Sequence, residues 1–307
     1  MQRIKEIGSN KDGVLVVNKP SGMTSHDLVN IIRKLYDLKK VGHTGTLDPD
    51  AEGIMLIALG RATKFIRFFS NTNKTYVAEI LFGRETDTYD KSGKVVCEQK
   101  PEFNLSSFKS CLSSFIGETM QRPPIYSALK KEGKHYYEYA RMGEKIDIPK
   151  RPIKIFDIEL LRENIPFSAT IRVKCSSGTY IRSLCHDIGV SLKTYACMGN
   201  LKRIAVGDIG MEQSYDIEAL SNLNINQRVE LLLPVEKFLT SYHFVKSNER
   251  GDHFIQNGSA LLQWNAATPF DSYQDGELLK IYNSQNRFIG VGQFRQSENG
   301  IFPVRMV

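Results

Sequence analysis

Two hydrophobic periods alternate along the chain, and each change of period marks an element. Residues 13–22, GVLVVNKPSG, read as an apolar strand ending in a Pro-Gly turn. In TSHDLVNIIRKLYDL (24–38), Leu28, Ile31, Ile32 and Leu35 share one helical face behind a Thr-Ser start. GIMLIALG (53–60) predicts a buried strand, ATKFIRFF a short helix, and the alternating KTYVAEILFG (74–83) another strand. FKSCLSSFIG (108–117) predicts a helix closing on a glycine. IKIFDIELL and SATIRVKC (168–175) predict strands, and GTYIRSLCHDIGVSL (178–192) a strand turning into a helix.

Strands and helices alternate irregularly, without repeats, which predicts an α+β protein with helices laid on a mixed sheet. No G-x-G-x-x-G or G-x-x-x-x-G-K-[ST] follows a strand, which argues against a dinucleotide or NTP enzyme. The polar stretch TSYHFVKSNERGD near 240–250 suggests a boundary. Beyond it, GELLKIYNSQNRFIGVGQF (276–294) predicts a β-hairpin. The expected division is a catalytic domain over 1–240 and a small β-rich domain over 241–307.

The 307 residues are 41% hydrophobic with mean hydropathy −0.30, an ordinary soluble composition. A net charge of +7 raises the odds of a polyanionic partner. Five cysteines, with no C-x-x-C pair, read as reduced and buried in a cytoplasmic protein. The start, MQRIKEIGSNKDG, has no apolar core for a signal peptide, and the apolar run IMLIAL is too short for a membrane span.

The oddest loop is VGHTGTLDPDAEG (41–53), which places Asp48, Asp50 and Glu52 among three glycines. A calcium loop starting at Asp48 would need a bidentate Glu at its twelfth position, where Leu59 stands. His43 has no zinc partner at ligand spacing, and no G-x-S-x-G marks a hydrolase. Such clusters are often only turns. Here, however, Pro49 restricts Asp48 to an extended backbone, and the glycines let a bulky ligand approach.

Residues 122–154 carry nine lysines and arginines against four acids, with Tyr126, Tyr136, Tyr137 and Tyr139 interleaved. Cations for phosphates and aromatic faces for bases suit an RNA surface. Composition alone allows a solvated insertion equally well.

Five blocks together carry a resemblance: NKPSGMTSHDLV, KVGHTGTLDPDAEGIMLIALGRATKF, KTYVAEILFGRETDTYDKSG, RPPIYSALKKEGKHYYEYAR and CSSGTYIRSLCHDIG. In that order, from about residue 13 to 210, the chain resembles the bacterial TruB family of tRNA pseudouridine-55 synthases. The segment after 240 is more distantly similar to PUA-type RNA-binding domains.

The resemblance implies a pseudouridine synthase fold with a largely antiparallel sheet, a thumb-like RNA-gripping insertion at 121–155, and isomerisation of a flipped-out uridine in the tRNA T-arm. It implies no cofactor, no metal and a monomer. It assigns Asp48 as the essential carboxylate, Arg182 as its partner and Tyr76 as the ring that stacks on the uracil. His43, Lys19, Lys64, Leu201, Lys130 and Lys131 are carried over as substrate-binding or pocket-supporting residues. An arginine beside Asp48 is expected to keep the carboxylate ionised. One departure is CMGNLKRIAVG, where family members usually carry a His-Leu pair ahead of the L-x-R block. Asp50 and Glu52 are expected to be turn and surface residues.

Overall fold

The computed structural model describes residues 11–127, 129–144 and 146–307. Lys145 of the basic segment and most of the N-terminal stretch read as lacking a leader lie outside them. The first half of the chain runs β1 (Gly13–Lys19), α1 (Ser25–Leu35), β2 (Val41–His43), β3 (Glu52–Leu59), α2 (Ile66–Phe69), β4 (Lys74–Phe82), β5 (Arg84–Thr86), β6 (Val95–Glu98), α3 (Leu105–Ser114) and β7 (Gly117–Gln121). The insertion holds β8 (Lys130–Lys131), β9 (Lys134–His135) and α4 (Tyr136–Arg141). Then follow β10 (Arg151–Asn164), β11 (Ser168–Cys175), α5 (Ile181–Ser191), β12 (Ala196–Val206), β13 (Ile209–Gly210), β14 (Tyr215–Asp216), α6 (Ile217–Ser221) and α7 (Ile225–Glu230).

The main sheet has the order β14-β1-β3-β12-β4-β11-β10-β7, with β2 on β3 and β13 on β12. Among its described strands, only β1–β14 and β3–β12 pair in parallel. The fold is the expected α+β arrangement.

Burial on both faces explains why β1 and β3 read as unbroken apolar runs rather than alternating ones. Leu15, Val17, Met55 and Ile57 pack with Leu28 and Ile32 of α1 and Leu184 and Ile188 of α5. Val14, Val16, Ile54 and Leu56 point the other way, onto Phe65, Phe68, Phe69 and Phe238. Strand β4 alternates because only one of its faces is fully buried.

Three local readings shift. Helix α3 starts at Leu105 because Asn104 caps it, and it ends at Ser114. Gly117, at φ +117°, instead opens β7. Residues 176–180 form a turn, so α5 is preceded by no strand of its own. The stretch 196–206, given no element from the sequence, is the strand that joins β3 to β4.

The C-terminal segment forms β15 (Phe244–Lys246), α8 (Glu249–Gln256), β16 (Leu261–Leu262), β17 (Leu278–Tyr282), β18 (Phe288–Arg295) and β19 (Gly300–Met306). Its five-stranded sheet has the order β15-β17-β18-β19-β16, and β17–β18 is the hairpin. This β-rich domain closes the second core: Val291 joins that cluster, Phe288 lies 5.8 Å from Phe65, and the Tyr242 hydroxyl donates to Phe68 O. No helix among the described residues is long and apolar enough to cross a membrane.

Candidate active site

The acidic loop is held in place from four sides, which frees the Asp48 side chain for other work. Buried Ser25, in the first turn of α1, exchanges hydrogen bonds with Leu47: its Oγ accepts from Leu47 N and donates to Leu47 O, each at 2.9 Å. Gly22 N donates to Pro49 O, and Ser21 Oγ to Asp50 O. Arg203 of β12 donates to Gly45 O. Gly53 has φ +107°, and a Cβ there would lie 2.2 Å from Arg203 O, so only glycine lets the loop enter β3 against β12.

The fourth holder is Lys19. It is fully buried, and its Nζ donates to Pro20 O, Met23 O and Pro49 O at 2.7–2.9 Å. All three ammonium protons are therefore spent on carbonyls. Burial lowers its pKa, against the pull of Asp50, Asp48 and Glu52. Lys19 thus clamps the Pro49–Asp50 peptide from behind the loop and does not line the cavity.

Asp48 faces a cavity of about 810 Å³. Arg182 meets it with a forked contact: Nη2 donates to Oδ1 at 3.2 Å, and Nε lies 3.0 Å from Oδ2. The guanidinium also donates to Thr88 O and Tyr126 O, and lies 3.9 Å from Asp90. Its side chain is 7% exposed, against 36% for Asp48. The residue before α5, the helix that carries Arg182, is held by a distant side chain. Gln121 accepts from Tyr180 N at 2.8 Å and donates to Tyr180 O at 3.0 Å.

Two opposed effects set the electrostatics of Asp48. Burial raises its pKa above the ordinary carboxylate value; Arg182 opposes this, and Asp90 adds to it. Arg182 offsets the cost of desolvation without cancelling it.

Tyr76, Leu201 and His43 line the same cavity. Tyr76 sits on β4 opposite Arg203, and burial raises its phenol pKa while Arg203 lowers it. His43 ends β2, and burial lowers its pKa, helped by Arg203 and His26. At the departure CMGN the β12–β4 register shifts between Met198 and Leu201; Leu201 pairs with Ala78 after the shift and lines the cavity. A second cavity of about 380 Å³ shares Asp48, Arg182, Tyr126, Tyr137 and Leu201 with the first and adds Asp90, Lys91 and Ser92.

Three carried-over cations lie elsewhere. Lys64 is exposed in the 3-10 turn after β3 and does not line the cavity. Lys130 and Lys131 form one strand of a two-stranded ribbon outside it. Tyr126 and Tyr137 of the insertion do reach the cavity, whereas Tyr136 and Tyr139 are buried packing residues.

Two cations at the cavity were missed. Arg203 is 2% exposed and donates from Nε to Ile54 O at 2.7 Å. Lys74 is 6% exposed, donates to Ser70 O at 2.6 Å, and has its pKa lowered to about 8, by burial first and by Arg203 second. Arg203 stands two residues after Leu201, on the same face of a strand, and that was the available signal for it; Lys74 offered none. Among the described residues, no His/Cys/Asp/Glu group could hold a metal ion, and all five cysteines are free.

Solved structures with this architecture include a chain of the archaeal box H/ACA sRNP Nop10–Cbf5 complex, at TM-score 0.74 and 22% identity over 97% of this chain and 85% of that one. A chain of a Cbf5–Nop10–Gar1 complex matches at TM-score 0.72 and 24% identity, over 96% and 85% of the two chains. The chain shares its fold with these solved chains. Residues 33–181 match the N-terminal domain of the TruB family pseudouridylate synthases, and residues 182–240 the tRNA pseudouridylate synthase B C-terminal domain. Curated relatives called tRNA pseudouridine synthase B include one from Caldanaerobacter subterraneus subsp. tengcongensis, 44% identical over 92% of this chain and 94% of that protein. Another, from Burkholderia pseudomallei, is 36% identical over 96% and 97% of the two chains. The chain belongs to the TruB family of pseudouridylate synthases.

Proposed function

We propose that this protein isomerises uridine to pseudouridine at position 55 of the tRNA T-loop. The observation that carries the reading is Asp48, anchored by Arg182 at the wall of a cavity that also presents the Tyr76 ring. The reaction breaks C1′–N1 and forms C1′–C5; C5 loses its hydrogen and N1 ends protonated. It is an isomerisation, so electrons balance without a redox partner.

In this reading the target nucleotide leaves the stack and enters the cavity. Ionised Asp48 meets positive charge at the sugar, either by bonding as a nucleophile or by taking a proton from a glycal-forming carbon. Arg182 holds the carboxylate in place. Tyr76 stacks on the uracil and stands near the carbon that must lose its proton. His43 contacts the flipped-out strand, and Leu201 bounds the base.

The ribbon carrying Lys130 and Lys131 grips backbone phosphates as part of a thumb over 121–155. The domain at 241–307 holds RNA away from the reacting base, as PUA domains do. The protein acts as a monomer in the cytoplasm, where its tRNA is found.

The test is incubation with an unmodified tRNA transcript, followed by carbodiimide treatment and primer extension. A reverse-transcription stop at position 55 is expected. Release of free uracil would indicate a glycosylase, and binding without product an RNA-binding protein without catalysis.

A further inference from the structure

The loop that supports Arg182 is built around a residue in an unfavourable backbone. Tyr89 has φ +61°, a left-handed conformation costly for a bulky side chain. Its neighbours are Thr88 and Asp90, the two loop residues that meet the Arg182 guanidinium. Something has to hold Tyr89 in this state, and the backbone does part of it. Met198 N donates to Tyr89 O at 2.9 Å, and Lys91 N to Met198 O at 2.8 Å, tying the loop to β12.

The Tyr89 side chain supplies the rest. Its ring stacks on His186, with centroids 4.1 Å apart and planes 25° from parallel. His186 is itself oriented at both ring nitrogens: Nε2 lies 3.6 Å from Glu85 and Nδ1 3.3 Å from Asp187. His186 and Arg182 are four residues apart on α5, so they project from one helix face. One helix therefore meets residues 88–90 twice, through the guanidinium at Thr88 and Asp90 and through the imidazole at Tyr89.

We infer that the Tyr89–His186 stack is a positioning device for Arg182: it sets the loop whose Thr88 carbonyl and Asp90 carboxylate aim the guanidinium at Asp48. Neither ring lines the cavity, so neither is a catalytic residue. The inference rests on the proposed role of the Asp48–Arg182 pair.

Three variants separate positioning from folding. Tyr89→Gly removes the ring but relaxes the left-handed strain, so the protein should fold at least as well as wild type. His186→Leu removes the flat partner, and His186→Phe restores one without the ring nitrogens. Single-turnover pseudouridine formation should fall about 10²-fold in Tyr89→Gly and His186→Leu, the scale of a misplaced catalytic group. The Kd for tRNA should stay unchanged, and His186→Phe should recover most of the rate. In parallel, the Arg182 Nε–H resonance of ¹⁵N-arginine-labelled protein should shift or broaden in the first two variants and return in His186→Phe. That signal needs no catalysis: if it moves while wild type makes no pseudouridine, the proposed function fails and the positioning device stands. An unmoved resonance together with wild-type rates in both ring-deleted variants would overturn the device.

Discussion

Arg182 reaches Asp48 across 134 residues of sequence, with Nη2 donating to Oδ1 at 3.2 Å and Nε 3.0 Å from Oδ2. The pair joins two pieces of structure that share no strand: the loop entering β3 and the first turn of α5. A planar fork matches a carboxylate in a way an ammonium cannot. Arg182→Lys should therefore retain folding and tRNA binding while the single-turnover rate falls at least tenfold. Equal rates would show that charge alone suffices.

The same pair sets a pH dependence. Burial raises Asp48's pKa above its ordinary value of 3.8, while Arg182 lowers it. Because the ionised form acts, the single-turnover rate should rise with pH through a limb lying above 3.8. Arg182→Gln removes the lowering influence, so its limb should move to higher pH. A limb that stays put, or moves down, contradicts this account of Asp48.

Lys74 gives a second titration. Its pKa is lowered to about 8, and it lines the cavity, so its charge is available to an RNA phosphate only below that pH. Affinity for unmodified tRNA should drop as pH rises through about 8 in wild type. Lys74→Arg keeps its charge and should abolish the drop. Persistence of the drop in Lys74→Arg would assign the titration to another group.

The ribbon lysines make a salt-dependence prediction. Neutralising Lys130, Lys131 and Lys134 should weaken tRNA binding and reduce the slope of log K against log salt by about one per lost phosphate contact. An unchanged slope would mean these lysines only solvate the insertion.

How far sequence carried this picture depended on whether the controlling interaction was local. Strand β1, helix α1 and strand β4 follow from their own periodicity, as does the β17–β18 hairpin. Strand β12 did not, because CMGN interrupts its pattern and its partners, β3 and β4, lie more than a hundred residues away. Asp48, Tyr76 and Arg182 were named through family motifs; no spacing rule places residues 48 and 182 in contact. The carbonyls that Lys19 and Arg203 hold were not legible in the sequence for a related reason. A lysine or arginine in a sequence suggests a solvent-facing charge, and only the folded chain shows carbonyls collected around it.

The C-terminal domain offers a test that the structure makes harsher than domain order alone suggests. Ending the chain near residue 240 would uncover Phe65 and Phe68, which pack against Phe288 and Tyr242. Truncation should lower Tm and weaken tRNA binding, yet leave the single-turnover rate at saturating tRNA largely intact in the folded fraction. Collapse of that rate in well-folded truncated protein would place the domain in the chemistry.

The central claim is that Asp48, and not the acidic loop in general, performs the reaction. Asp48→Asn keeps the shape and removes the charge. Asp50→Asn does the same two residues away, at an exposed position that takes no part in Arg182's forked contact. The decisive measurement is single-turnover pseudouridine yield at saturating tRNA for both variants. The account predicts a loss on the order of 10⁴-fold or more for Asp48→Asn with binding retained, and substantial activity for Asp50→Asn. Near-normal product from Asp48→Asn, or equal damage from Asp50→Asn, would contradict it.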